Sequence, residues 1–241
     1  KHTNHHPSNH ILHSHRRLWV YDFLSNNYGV HHLKIVKVLV CGDSTAAGFE
    51  TNKNGDPGYT TTNTPSAVAE SILNARPGCM TAQLENVAVG GSNFAQWLDG
   101  GYVGEIEIIP LSQRLAGTDA KVIVMQLGIN DAFIAGITVE TYMAQIERFR
   151  NAVLSSGKTP IFMTDNPISY SSTHNGILWS LMNGVRVKAG ELGMQIVDCN
   201  DAIARHVDNW PQFMADSIHP DETLYQFMGS LLATALARHI V

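Results

Sequence analysis

Ile35-Val36-Lys37-Val38-Leu39-Val40-Cys41-Gly42-Asp43-Ser44 is the stretch on which the fold turns. Its first six residues are mostly β-branched and apolar, as in a strand buried on both faces of a parallel sheet. The run stops at Gly42, and the turn-prone Gly-Asp-Ser that follows lifts a serine hydroxyl above the end of the strand. Ala46 stands where a G-x-S-x-G elbow has its second glycine.

Downstream the chain repeats a strand-then-helix rhythm. After a polar loop, Thr64-Pro65 offers a cap residue and a proline at the first helical position, followed by Val68 and Ile72 on one face, with Arg76-Pro77-Gly78 as the stop. Leu84 to Val89 reads as a second strand and Val122 to Leu127 as a third, central one. Tyr142, Met143, Ile146, Phe149 and Val153 recur at helical spacing, and Pro160 to Met163 gives a fourth strand. Leu178, Leu181, Met182, Val185 and Ala189 form a second stripe, Gly193 ends it, and Met194 to Val197 is a fifth strand. Tyr225, Met228, Leu232, Leu236 and His239 close the chain as an amphipathic helix. Alternating strands and helices imply an α/β fold in three layers, a parallel sheet with helices on both faces.

Residues 1–31 stand apart: eight of the twelve histidines lie in the first 32 positions, among Asn, Ser and Pro. We read this segment as a flexible or tag-like arm and residues 32–241 as one domain. A metal-binding role for the arm is the alternative, although its spacing matches no defined zinc site.

With 44% hydrophobic and 15% charged residues the chain has a globular composition. A net charge of −5 without a Lys/Arg block gives no footprint for nucleic acid, and no apolar run is long enough to span a membrane. The chain reads as soluble. Three cysteines without a CxxC suggest no disulfide framework and favour a cytoplasmic setting, while secretion stays open if a signal peptide was removed.

In open parallel sheets ligands bind beyond the carboxyl ends of the strands. Four segments fall there: Gly42-Asp43-Ser44, Asn86-Val87-Ala88-Val89-Gly90-Gly91-Ser92-Asn93, Gly128-Ile129-Asn130-Asp131 and Asp216-Ser217-Ile218-His219-Pro220. Each alone is also what an ordinary turn, helix cap or surface histidine looks like. Together they supply a hydroxyl, a glycine pair, an amide donor, and a histidine with a carboxylate three residues before it. A histidine takes and returns a proton near neutrality, and the carboxylate fixes its tautomer. The loops 50–63 and 167–175, with Tyr59, Tyr170 and His174, lie over the same edge and are expected to shape a substrate pocket.

These four ordered blocks, spread over residues 34–239, resemble those of the SGNH hydrolases, also called GDSL esterases/lipases. The resemblance implies a flavodoxin-like α/β/α domain with a five-stranded parallel sheet. It implies Ser44 as nucleophile, His219 as base and Asp216 as its orienter. The oxyanion hole would comprise the Ser44 N–H, the Gly91 N–H and the Asn130 side chain, without metal or other cofactor. Thr45 stands where the name motif has leucine. Gly90 competes with Gly91 for the oxyanion role, and Gly91 is preferred because it lies five positions after Asn86. The implied substrate is a small-molecule or carbohydrate ester, with short-chain acyl or O-acetyl groups favoured. Thioesterase, lysophospholipase and acyltransferase activities use the same triad, and a non-enzymatic carbohydrate- or partner-binding module is the alternative of another class.

Overall fold

Residues Val122 to Leu127 are all buried, so a strand made of them needs cover on both faces. The computed structural model describes residues 34–51, 58–76 and 80–240, and the histidine-rich arm lies outside them. In chain order the elements are β1 (Lys34–Gly42), α1 (Ser44–Ala47), β2 (Phe49–Glu50), β3 (Tyr59–Thr60), α2 (Pro65–Asn74) and β4 (Met80–Asn86). Then come α3 (Phe94–Asp99), β5 (Gly101–Val103), β6 (Ile106–Ile108), α4 (Leu111–Gly117), β7 (Val122–Leu127), α5 (Ile129–Ala132) and α6 (Val139–Ser155). The last are β8 (Thr159–Thr164), α7 (Ser172–Leu192), β9 (Gln195–Val197), α8 (Cys199–His206) and α9 (Glu222–Leu236).

The main sheet is parallel, with order β4-β1-β7-β8-β9. Strand alternation sends its side chains into two separate cores. Leu39, Cys41, Ile123, Met125, Leu127 and Phe162 pack with residues of α3, α4, α6 and α7. Val38, Val40, Val122, Val124, Ile161 and Met163 pack with residues of α2, α8 and α9. This is the expected α/β/α arrangement, and fully burying a side chain of this size contributes roughly 1.5–3 kcal/mol.

The second strand is shifted from the span read in the sequence, Met80–Asn86 rather than Leu84 to Val89. Val87 and Val89 still donate their N–H groups to Val40 and Gly42 of β1, at 2.9 Å each, but as a loop running past the sheet edge. The apolar residues that suggested a strand are there partly buried, packed on the first of the two cores. Two small hairpins, β2–β3 and β5–β6, are additions to the sheet-and-helix frame. Cys41 and Cys199 are buried and free. No helix among the described residues is long and apolar enough to cross a membrane.

Candidate active site

Gly42 ends β1 where there is no room for a side chain: an added Cβ would stand 2.5 Å from both the Gln126 carbonyl oxygen and the Ala46 Cβ. The chain turns at once into α1. Asp43 caps that turn by accepting the Thr45 N–H at 2.9 Å, and Gly48 closes it in the left-handed conformation at φ 77°. Ser44 thereby opens a short helix at the sheet's carboxyl edge. Asn86, at the end of β4, holds this turn from below, donating to the Ala46 carbonyl at 2.8 Å and to Ser66 Oγ at 3.0 Å.

The Gly90-Gly91-Ser92 turn is fastened to the same place. Ser92 is buried, its hydroxyl donating to the Gly42 carbonyl at 3.1 Å and accepting from Trp97 Nε1 at 2.8 Å. Gly91 adopts φ 80°, a conformation that strains any residue with a Cβ. A Cβ on Gly90 would meet Ser44 Cβ at 3.5 Å, so Gly90 faces the serine across an ordinary contact. Asn93 then starts α3 with a capping box shared with Gln96.

Gly128, at φ 147°, bends the chain from β7 into α5, which carries Asn130. Asn130 Nδ2 donates to the Ser92 carbonyl at 2.9 Å and, more weakly, to Asp43 Oδ2 at 3.4 Å, tying the third segment to the second and the first. Among the described residues, neither the Ser44 nor the Gly91 backbone N–H donates to a protein acceptor.

The fourth segment folds around its own carboxylate. Asp216 Oδ1 accepts the N–H groups of Ile218 at 2.6 Å and His219 at 2.7 Å. Its Oδ2 receives His219 Nδ1 at 2.8 Å and Thr51 Oγ1 at 2.9 Å. On the far side of the ring, His219 Nε2 lies 3.0 Å from Ser44 Oγ. Hydroxyl, imidazole and carboxylate thus stand in one hydrogen-bonded row. Burial works to raise the Asp216 carboxyl, but the hydrogen bonds from the His219 ring and from the His219 and Ile218 N–H groups prevail and hold it below its ordinary value. It stays ionised, facing the His219 ring. Phe49 packs its ring against His219 at 4.7 Å, and its carbonyl accepts the Tyr225 hydroxyl.

Under this row lie three buried carboxyls: Asp43 and Asp131 belong to the quoted segments, whereas Asp165, beyond β8, was not singled out. Asp165 accepts the Ile129 N–H at 2.9 Å, which orients the head of α5. Burial drives its carboxyl and that of Asp43 upward, and its charge raises Asp43 further. Asp131 accepts the Phe94 N–H at 3.2 Å, so it braces the neighbouring segment; burial pushes it up to about 7 despite that bond. The signal that could have found Asp165 was position: Thr164-Asp165-Asn166 follows an apolar strand at the same edge.

Tyr170 and His174 come together with Phe133, which sequence reasoning missed. Tyr59 stays apart from them, half-exposed on the β2–β3 hairpin opposite Glu50, whose charge raises its phenol. Among the described residues no His/Cys/Asp/Glu group is arranged to hold a metal ion.

A family model for the GDSL-like lipase/acylhydrolase family matches residues 40–227. The chain belongs to that family. By class it is therefore a carboxylic ester hydrolase. No curated protein sequence matches this GDSL hydrolase. Among solved structures it is similar to an aryl esterase of M. smegmatis, at 15% identity and a TM-score of 0.68 over 86% of this chain and 100% of that one. It is similar to a carbohydrate acetylesterase from Sinorhizobium meliloti, at 15% identity and a TM-score of 0.68 over 85% and 99% of the two chains. A third is an acetyl-xylooligosaccharide esterase from Geobacillus Stearmophilus, at 18% identity and a TM-score of 0.61 over 85% and 94%. At such identities these likenesses speak for the fold.

Proposed function

We propose that this GDSL hydrolase cleaves short-chain carboxylic esters, O-acetyl esters foremost, through an acyl-enzyme on Ser44. The observation that carries the reading is the row Ser44 Oγ–His219 Nε2–His219 Nδ1–Asp216 Oδ2, with spacings of 3.0 and 2.8 Å on either side of the ring. Ser44 Oγ bonds to the ester carbonyl carbon while its proton passes to His219 Nε2. The tetrahedral intermediate collapses, the C–O bond to the alcohol breaks, and His219 returns the proton to the leaving oxygen. Water then attacks the acyl carbon, again deprotonated by His219, and the acid departs with Ser44 restored. Asp216 remains a carboxylate throughout and stabilises the imidazolium.

The carbonyl oxygen gains charge in each addition step. The Ser44 N–H, the Gly91 N–H and the Asn130 amide, turning from its long 3.4 Å bond to Asp43, are its donors in this reading, each worth roughly 100- to 1000-fold in rate. The preference for short acyl groups is supported by the names of two fold relatives, both acetylesterases.

A panel of 4-nitrophenyl esters from acetate to decanoate tests this on wild type, Ser44→Ala and Asn130→Ala. Rates should peak at acetate to butyrate. Ser44→Ala should lose at least about 1000-fold, and Asn130→Ala should lower kcat far more than it raises KM. Wild-type turnover in Ser44→Ala sinks the nucleophile assignment, and a pure KM effect sinks that of Asn130.

A further inference from the structure

Three aromatic rings gather where the Asn130 segment meets the histidine loop. Phe133 stacks on His174 with ring centroids 4.2 Å apart and planes 20° apart, while Tyr170 stands edge-on to both, at 5.3 and 5.6 Å. The Phe133 N–H bonds the Asn130 carbonyl at 3.2 Å, so this ring is carried by the turn that presents the Asn130 amide. Tyr170 follows Ser169, whose N–H bonds the Ser217 carbonyl at 2.9 Å, two residues before His219. The trio therefore bridges the two segments that flank the serine.

None of the three belongs to either core. Phe133 is 38% exposed and Tyr170 55%. Leaving apolar ring faces open to water has a free-energy cost, and clustered exposed apolar surface marks a binding face. The cluster is also polar at its rim. Ser171 Oγ accepts the His174 N–H at 3.1 Å as the cap of α7, and its own proton is free for His174 Nδ1 at 2.7 Å. His174 Nε2 has no partner among the described residues, and with the Tyr170 hydroxyl it gives the cluster its polar groups.

We infer that Phe133, Tyr170 and His174 form a subsite for a pyranose ring on the alcohol side of an O-acetylated sugar. An acetyl group is too small to occupy three rings, so the alcohol must reach them. A pyranose offers an apolar C–H face to an aromatic face and hydroxyls to the donors at its rim. An alkyl alcohol has no use for those donors. Rigid aromatic side chains give such contact at low conformational-entropy cost. This subsite rests on the reading of Ser44 as the nucleophile.

The test compares kcat/KM for an acetylated methyl xylopyranoside, 4-nitrophenyl acetate and ethyl acetate in wild type, Phe133→Ala and Tyr170→Ala. The sugar-to-ethyl ratio should fall about tenfold in each variant, through KM, the size expected for one lost aromatic contact. Methyl β-xylopyranoside should inhibit ethyl acetate hydrolysis competitively, with an inhibition constant about tenfold higher in Phe133→Ala. That inhibition reads the subsite whichever residue is the nucleophile, so its failure is separate from failure of Ser44→Ala. An unchanged sugar-to-ethyl ratio, or inhibition that Phe133→Ala leaves untouched, overturns the subsite. An equal fall for the 4-nitrophenyl ester overturns the sugar assignment in favour of flat rings generally. Both side chains are exposed, so the Tm of each variant should stay within a few degrees of wild type, which separates either result from misfolding.

Discussion

Asp131 is held by the Phe94 N–H, yet its buried carboxyl is pushed up to about 7. In the unfolded chain the same group titrates near 3.9. A pKa raised on folding contributes stability that is complete below the unfolded value and fades as pH rises toward the folded one. Asp43 and Asp165, also driven upward by burial, act in the same direction, whereas Asp216, held low, acts in the opposite one at acid pH. Asp131→Asn keeps an acceptor for the Phe94 N–H and removes the titration. Its Tm relative to wild type should therefore rise between pH 5 and pH 8, by the equivalent of roughly 2 kcal/mol. A Tm difference that stays flat across that range would falsify the assignment. This is also where the sequence was least legible. Ser44, Asn130, Asp216 and His219 were visible because each lies in a short segment of recognisable pattern. Asp165, Phe49 and Thr51 act through contacts between loops far apart in the chain, which no local pattern encodes.

Between elements, α9 packs tightly against α2 at the buried Gly229. An added Cβ there would stand 2.6 Å from Val68 Cβ and 2.9 Å from the Pro65 carbonyl oxygen. Alanine in a helix interior normally gains about 1 kcal/mol over glycine. Here overpacking reverses the sign, and Gly229→Ala should destabilise by roughly 1–3 kcal/mol in urea unfolding. A gain in stability would mean the helices can separate freely. The long helices were legible because Tyr142, Ile146, Phe149 and Val153, and likewise Leu178, Leu181, Met182 and Val185, repeat one buried face. The hairpins β2–β3 and β5–β6 were not, since strands of two or three residues carry too few alternations to register. β4 was misplaced for a related reason: Thr81-Ala82-Gln83 lacks the apolar run, and Val87 and Val89 beyond it have one without being strand.

Across the whole molecule, the site is assembled at one sheet edge by turns after β1, β4, β7 and β8 and by the loop before α9. Those segments all fall between residues 42 and 221. A chain beginning at residue 32 should keep the wild-type kcat/KM on 4-nitrophenyl acetate, with or without a chelator. A chelator-sensitive rate that disappears with the segment would assign the histidines a part in turnover. The partners that meet across 3.0 Å, Ser44 and His219, are 175 positions apart in the chain. At a synthesis speed of roughly 10 residues per second, the serine leaves the ribosome well over about ten seconds before its histidine. For that interval the nascent chain carries the Ser44 hydroxyl without the imidazole that stands beside it in the folded protein.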